Sequence, residues 1–388
     1  MTATGRDERA ALALADGTVF VGRALGARGV STGEVVFTTA MSGYQEVLTD
    51  PSYAGQIVTM TAPQIGNTGL NAQDGEDERP RLAGFVMREA SPIVSSWRAE
   101  ESLDAWLARF GVVGIEGIDT RALTRHLRDR GAQNGAIAPL PSLDDGAIAA
   151  LVRRARDAPS MEGLDLATAA STKETYRWRQ GTAEWHAEAP GSPAQRPIDK
   201  RVVALDFGLK RNILRCLVDA GCEVVVVPAR TSASEILDHK PDGVFVSNGP
   251  GDPAALGYAV ETVRALVERR PLFGICLGHQ LLGRALGATT SKLRFGHRGI
   301  NQPVRDLRTG RIEITTQNHG FVVDEASLGS GAEVTHLHLN DGSCEGIAHR
   351  TRPAFSVQYH PESAAGPHDS LYLFARFIEA IESGRLGS

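Results

Sequence analysis

The sequence lacks the features of membrane, secreted and nucleic-acid-binding proteins. No apolar run approaches the roughly 20 residues that a membrane-spanning helix needs, and the polar residues 1–9 are unlike a secretory signal. The net charge of −5, without a long basic cluster, excludes an electrostatic surface for nucleic acid or an anionic membrane. The four cysteines form no Cys-x-x-Cys pair, which argues against a zinc site or a disulfide framework. We therefore expect a protein of the reducing cytoplasm.

The composition is typical of a folded protein with two domains. The chain has 388 residues, of which 42% are apolar and 22% charged, which is ample for two cores. Residues 181–200 are rich in proline and glycine and show no periodicity, so they predict a linker. We expect one domain over residues 1–180 and a second over residues 201–388.

The two halves differ in their predicted elements. The first half predicts a mixed α+β domain, with a hairpin at 11–25 around Asp16-Gly17, short strands at 34–38, 56–61 and 82–87, and helices at 102–110, 119–130 and 144–158. In the second half short apolar runs alternate with helical stretches, which indicates an α/β domain with a doubly wound, mainly parallel sheet. Such sheets bind ligands at the carboxyl ends of their strands.

Cys276 lies between an apolar strand and a helical pattern, with Gly274 and Gly278 on either side. This is the arrangement of a nucleophile elbow, with sulfur in place of the serine oxygen. The start of the following helix brings backbone N–H groups close to the thiol, and these favour the reactive thiolate. A buried structural cysteine would not need both glycines.

A second strand-like run ends in His360-Pro361-Glu362. Residues i and i+2 of an extended segment point to the same side, so Glu362 can orient the ring of His360 while its other nitrogen faces Cys276. Three further histidines compete for the role of base, but none has an acid two residues later: His279, His297 and His319. The sequence thus predicts a nucleophile, a base and an orienting acid in the order Cys, His, Glu.

Two other features have more than one interpretation. Residues 244–253 run from an apolar strand into a Gly-Pro-Gly turn, which can direct the N–H groups of Gly249 and Gly251 at an oxyanion together with that of Leu277. An ordinary tight turn is the alternative. His336 and His338 alternate on a predicted strand, where a solvent-facing pair is favoured over a metal site.

These motifs resemble a known family. Residues 274–280 (Gly-Ile-Cys-Leu-Gly-His-Gln), 247–253 (Ser-Asn-Gly-Pro-Gly-Asp-Pro) and 360–362 resemble a class I, triad-type glutamine amidotransferase domain. Residues 33–37, 41–53, 118–121, 206–213, 295–299 and 317–321 are typical of the small, glutamine-hydrolysing subunit of carbamoyl-phosphate synthase. The resemblance covers residues 11–379, including an N-terminal domain that other glutaminases of the class lack.

The resemblance implies a set of roles. Cys276, His360 and Glu362 would be catalytic, and glutamine or its oxyanion would contact Ser52, Gly249, Gly251, Leu277, Gln280, Asn318, Gly320 and Phe321. No metal or organic cofactor is expected on this chain, since ATP and Mg would be used by a large synthetase subunit. That partner would combine the ammonia with bicarbonate to make carbamoyl phosphate for arginine and pyrimidine synthesis, in a complex that is compatible with higher oligomers.

Three alternatives stay open at this stage. One is a glutaminase for another synthetase, such as those for anthranilate or GMP. Another is a stand-alone γ-glutamyl hydrolase or peptidase, and the third is a non-catalytic binding or regulatory module. The sequence also departs from the family pattern at Tyr359, where glycine or phenylalanine is more usual, at residues 62–64 and at Gln302.

Overall fold

The computed structural model describes residues 8–140, 142–182 and 197–386. Most of the predicted linker therefore lies outside the described residues. The chain divides into two compact units, Met1–Glu162 with Arg294–Gly299 and Gly163–Leu293 with Ile300–Ser388. This division precedes the predicted boundary at 181–200, because a short strand at Tyr176–Trp178 pairs with the sheet of the second unit.

The first unit is built around a sheet of seven strands that closes on itself, in the order β1-β2-β6-β5-β4-β3-β7. The pairs β3-β4, β4-β5 and β5-β6 are parallel, and the remaining pairs are antiparallel. The strands are β1 (Arg9–Leu14), β2 (Val19–Gly26), β3 (Ser31–Thr38), β4 (Gln56–Met60), β5 (Gly84–Val86), β6 (Val113–Glu116) and β7 (Gln133–Pro139). The helices are α1 (Tyr44–Thr49), α2 (Leu103–Arg109), α3 (Thr120–Arg130) and α4 (Asp145–Asp157).

The local predictions for this unit are confirmed by turn and cap geometry. β1 and β2 pair as a hairpin in which Gly17 has a φ of 97°, a value that favours glycine. Helices α2, α3 and α4 begin after Ser102, Asp119 and Asp144, and each of these side chains accepts a hydrogen bond from a backbone N–H of the first turn.

A sheet of ten strands, in the order β14-β13-β15-β16-β17-β12-β11-β9-β10-β8, belongs to the second unit except for residues 294–299 of β13. Five neighbouring strands of this sheet, β17, β12, β11, β9 and β10, are parallel. This confirms the predicted parallel-rich α/β domain. The strands are β8 (Tyr176–Trp178), β9 (Lys200–Asp206), β10 (Cys222–Pro228), β11 (Gly243–Val246), β12 (Leu272–Ile275), β13 (Thr290–Asp306), β14 (Ile312–Val323), β15 (Ala332–His338), β16 (Cys344–His349) and β17 (Ala354–Val357). The helices are α5 (Ala167–Ala170), α6 (Arg211–Asp219), α7 (Ala233–Asp238), α8 (Gly257–Val267), α9 (Leu277–Ala285) and α10 (Tyr372–Ser383).

Apolar cores cover both faces of this sheet. One is centred on the aliphatic side chains of α8 and α9, and the other on a group of phenylalanines that includes Phe273 and Phe377. Because both faces are covered, polar ligands have access chiefly at the strand ends. None of the described helices is both long and apolar enough to cross a bilayer.

Candidate active site

Four adjacent parallel strands end beside one another at one edge of the second sheet. In the order β9, β11, β12 and β17, their carboxyl ends lead to Lys210, Gly249, Cys276 and His360. This shared edge explains how residues from distant parts of the sequence meet.

Cys276 occupies a strained turn between β12 and α9. Its φ of 55° and ψ of −103° lie in a region that costs a non-glycine residue about 1–3 kcal/mol. The turn is tightly packed, because a Cβ atom on Gly278 would lie 2.1 Å from the carbonyl oxygen of Val246. A Cβ on Gly274 would lie 2.7 Å from the carbonyl oxygen of Gly278. Only glycine fits at either position without a backbone shift, which fixes the direction of the thiol.

His360 and Glu362 are joined by a short hydrogen bond. Nδ1 of His360 lies 2.7 Å from Oε1 of Glu362, and both side chains are buried. The backbone N–H of His360 donates to the carbonyl oxygen of Thr316 at 2.8 Å. The side chain of Cys276 interacts with the ring, although Nε2 has no well-aligned hydrogen-bond partner among the described residues. The ring is therefore held by the acid on one side and available to the thiol on the other.

The electrostatics of this pair favour an imidazolium next to a carboxylate. Burial and the charge of Lys210 lower the pKa of His360, but the charge of Glu362, the nearby side chain of Cys276 and the hydrogen bond to Glu362 outweigh them and raise this pKa to about 10. Burial alone would raise the pKa of Glu362, but His360 and Lys210 lower it to about 2. Glu362 stays ionised at neutral pH and can stabilise a proton on His360.

Lys210 lies beside His360 and Glu362 and was not predicted from the sequence as a site residue. Its Nζ donates to Oε1 of Glu362 at 3.1 Å and lies 3.4 Å from Nδ1 of His360. The side chain is buried at the start of α6. Its position just after β9, at the carboxyl edge of a parallel strand, is the signal that could have identified it. Lys210 neutralises part of the carboxylate and opposes the charge on the ring.

The segment from Asn318 to Phe321 lies next to the elbow on β14. The thiol of Cys276 contacts the carbonyl oxygen of Asn318 at 3.6 Å. Gln280 donates from Nε2 to the carbonyl oxygen of Phe321 at 2.9 Å and to Oε1 of Gln358 at 3.1 Å. Gly320 lies between these contacts on the same strand. The structure thus brings five of the predicted site residues together: Cys276, Gln280, Asn318, Gly320 and Phe321.

The Gly-Pro-Gly loop also packs against the elbow. A Cβ atom on Gly249 would lie 2.2 Å from the carbonyl oxygen of Phe207 and 2.9 Å from the side chain of Leu277. Gly251 has a φ of 96°, which favours glycine. The close approach of Gly249 to Leu277 supports their grouping in one site.

Ser52 lies in the first unit. It is buried in a short 3-10 turn, Pro51–Tyr53, and its backbone N–H donates to Oδ1 of Asp50 at 2.9 Å. This local contact explains the turn conformation. The role of Ser52 towards glutamine stays a prediction from the resemblance.

Several histidines of the second unit are explained by the core. Burial lowers the pKa of His279 to about 3, and its Nδ1 lies 3.0 Å from Oγ of Ser356. The expectation that His336 and His338 face solvent is wrong, since both are about 98% buried or more. The ring of His336 packs against that of Tyr359, with centroids 5.8 Å apart, and Nε2 of His338 lies 3.2 Å from Oε1 of Gln302.

Comparisons with known proteins agree with this geometry. The model of class I glutamine amidotransferases matches residues 203–380, and the CPSase domain of the carbamoyl-phosphate synthase small chain matches residues 12–137. A protein of Syntrophotalea carbinolica named carbamoyl phosphate synthase small chain is 54% identical over 97% of this chain and 99% of its own length. A protein of the same name from Polynucleobacter asymbioticus is 53% identical over 97% of this chain and 96% of its own length.

The fold and the elbow at the sheet edge define the second unit as a class I glutamine amidotransferase domain. The whole chain matches more specific relatives, at over half identity and nearly full length. It belongs to the family of carbamoyl phosphate synthase small chains.

Proposed function

We propose that this chain hydrolyses L-glutamine at Cys276 and passes the ammonia to the large subunit of carbamoyl phosphate synthase. The observation that carries the proposal is the cluster of Cys276, His360 and Glu362, which lies at the carboxyl edge of the parallel sheet in a member of this family. The large subunit would supply the ATP and Mg chemistry, and this chain would need no metal or organic cofactor. We place the complex in the cytoplasm, where glutamine and ATP are available.

The reaction starts from an ion pair, in which the thiol of Cys276 has given its proton to Nε2 of His360 and the ring is held as an imidazolium beside Glu362. The thiolate attacks the side-chain amide carbon of glutamine, and a tetrahedral oxyanion forms. Backbone N–H groups of Leu277 and of the loop that contains Gly249 and Gly251 stabilise this oxyanion. His360 then donates its proton to the departing nitrogen, and ammonia leaves as the thioester forms.

The second half of the reaction uses His360 in the opposite direction. The neutral ring accepts a proton from water, and the hydroxide formed attacks the thioester carbon. Collapse of the second oxyanion breaks the C–S bond and releases glutamate. Glu362, with its pKa lowered to about 2, stays charged throughout and stabilises each imidazolium state.

We assign the substrate contacts to the residues around the elbow. Asn318, Gly320 and Phe321 on β14 form one wall, and Gln280 holds that wall through its bond to Phe321. Since Nε2 of Gln280 already makes two hydrogen bonds, its contribution to glutamine binding is largely to support Phe321. Ser52 is proposed as a further glutamine contact on the basis of the family motif alone.

The test is glutamate release from glutamine by the purified chain, with and without the large subunit, bicarbonate and ATP. Low basal release that rises strongly in the complete system supports the proposal. Release that is equally fast without the partner indicates an independent hydrolase, and absence of release with partner binding demonstrated indicates a non-catalytic role.

The variant that tests the role of the thiol is Cys276→Ser. It should abolish glutamine-dependent carbamoyl phosphate synthesis, while synthesis from added ammonium chloride by the same complex continues. Persistent use of glutamine by this variant would exclude Cys276 as the nucleophile. The ammonia control separates loss of chemistry from loss of assembly.

A further inference from the structure

A buried polar contact lies directly behind the catalytic histidine. Tyr359 is fully buried, and its hydroxyl donates to Oε2 of Glu313 at 3.4 Å. Ser370 donates to the same oxygen at 2.8 Å. Glu313 lies on β14, and Ser370 lies two residues before α10. The contact therefore joins the end of β17 to two segments that are distant in sequence.

The same strand is tied to the next residue of the active site. Three residues after Glu313, the carbonyl oxygen of Thr316 accepts the backbone N–H of His360 at 2.8 Å. Two residues further along β14, Asn318 contacts the thiol of Cys276. β14 is thus a common frame for the thiol and the imidazole, and it holds the chain on both sides of the bond between residues 359 and 360.

Apolar packing alone does not account for this arrangement. The ring of Tyr359 lies among apolar side chains of the second core, where a phenylalanine would fill the same space. A carboxyl group buried opposite the ring is costly unless it is hydrogen-bonded, so the pair adds a directional contact that packing does not need.

The surroundings keep the hydroxyl protonated as a donor. Burial, reinforced by the charge of Glu313, raises the pKa of Tyr359 well above its ordinary value, and burial also raises the pKa of Glu313. His336 packs edge-on to the ring with centroids 5.8 Å apart, and burial lowers its pKa to about 4, so it is neutral. The remaining titratable groups that act on Tyr359 are Glu345, Tyr372 and Arg376.

We propose that Tyr359 is a positioning residue for glutamine hydrolysis, which acts through Glu313 to fix His360 between Glu362 and Cys276. The inference rests on the proposed function, because it assumes that His360 exchanges protons with the thiol. Loss of the hydroxyl would leave the apolar packing intact and would loosen the backbone that carries the imidazole.

The test is Tyr359→Phe in the complex with the large subunit. We expect kcat for glutamate release to fall about tenfold with KM for glutamine changed less than about twofold, because the defect lies in placement of the base. Synthesis from ammonia should be unchanged.

Changes at Glu313 show whether the two residues act together. Glu313→Met removes the acceptor and should reproduce the Tyr359→Phe defect, whereas Glu313→Gln keeps an acceptor oxygen and should retain most activity. The double variant Tyr359→Phe/Glu313→Met should be no slower than either single variant. Tyr258→Phe is the matched control, since it removes a hydroxyl that lies 2.9 Å from Thr168 in the same unit, and it should not affect turnover.

The outcomes separate this inference from the proposed function. If the wild-type complex releases glutamate and Tyr359→Phe does so with the same kcat, the positioning role is overturned and the proposed function stays intact. Additive losses in the double variant would also overturn it. Absence of glutamate release by the wild-type complex would instead refute the proposed function. If Tyr359→Phe does not fold, Glu313→Met and Glu313→Gln carry the same comparison.

Discussion

Replacing Glu362 by glutamine removes one buried negative charge without changing the size of the side chain. At about 4 Å between charge centres and an effective dielectric constant of about 20, the attraction between this carboxylate and an imidazolium is about 4 kcal/mol. The glutamine oxygen can still accept from Nδ1 of His360, which recovers about 1 kcal/mol. The remaining loss of about 3 kcal/mol corresponds to a kcat roughly 100-fold lower. Nζ of Lys210 lies 3.4 Å from Nδ1 of His360. Once the carboxylate is gone, the positive charge of Lys210 destabilises the imidazolium further and lowers kcat in the same way.

The assay compares glutamate release by Glu362→Gln, Cys276→Ser and the wild type in the complete system. Glu362→Gln should keep far more activity than Cys276→Ser, because an orienting acid contributes less than the nucleophile. A loss as large as that of Cys276→Ser would mean that Glu362 does more than orient and stabilise the ring. A loss below about threefold would refute the electrostatic reasoning.

Further predictions concern packing, thiol reactivity and pH. Gly278→Ala should lower the melting temperature and nearly abolish glutamine hydrolysis, whereas Gly257→Ala, where an added Cβ meets nothing within 4 Å, should leave both unchanged. Iodoacetamide should modify Cys276 much faster than Cys222, whose pKa burial raises to about 12, and peptide mass mapping gives the order. Since folding lowers the pKa of Glu362 from 4.5 to about 2, its contribution to stability is present above pH 4.5 and is lost as pH falls towards 2. The free energy of unfolding, measured by urea denaturation, should therefore fall more steeply between pH 5 and pH 3 for the wild type than for Glu362→Gln.

Local patterns were sufficient to predict the elements that carry Cys276, His360 and Glu362. Cys276 and His360 each follow an apolar strand, and the flanking glycines and the i, i+2 spacing of Glu362 are properties of a few adjacent residues. The parallel sheet then brings these strand ends to one edge. Each part of the cluster could be predicted because it is local, whereas the distances between the parts depend on which strands are adjacent in the sheet.

Features that depend on distant partners were not predictable in this way. Lys210 and Glu362 are separated by 152 residues, and only the adjacency of strands in the sheet brings them together. The burial of His336 and His338 was missed because alternation along a strand does not reveal what packs on each face of the sheet, here Tyr359 and Gln302. The closed sheet of the first unit was missed for a similar reason, since its closure depends on pairing of β1 with β7.

The strained conformation of Cys276 has a consequence for the folding of the chain as it is made on the ribosome. The turn is completed by the carbonyl of Val246 against Gly278 and by a hydrogen bond from the backbone N–H of Cys276 to Val357 at 2.9 Å. Cys276 leaves the ribosome well before Val357 and His360, so a growing chain has the cysteine but neither the turn nor the base. The pair of Cys276 and His360 is therefore complete only after β17 has paired with β12, and a chain that ended before Val357 would have the thiol without the turn or the base.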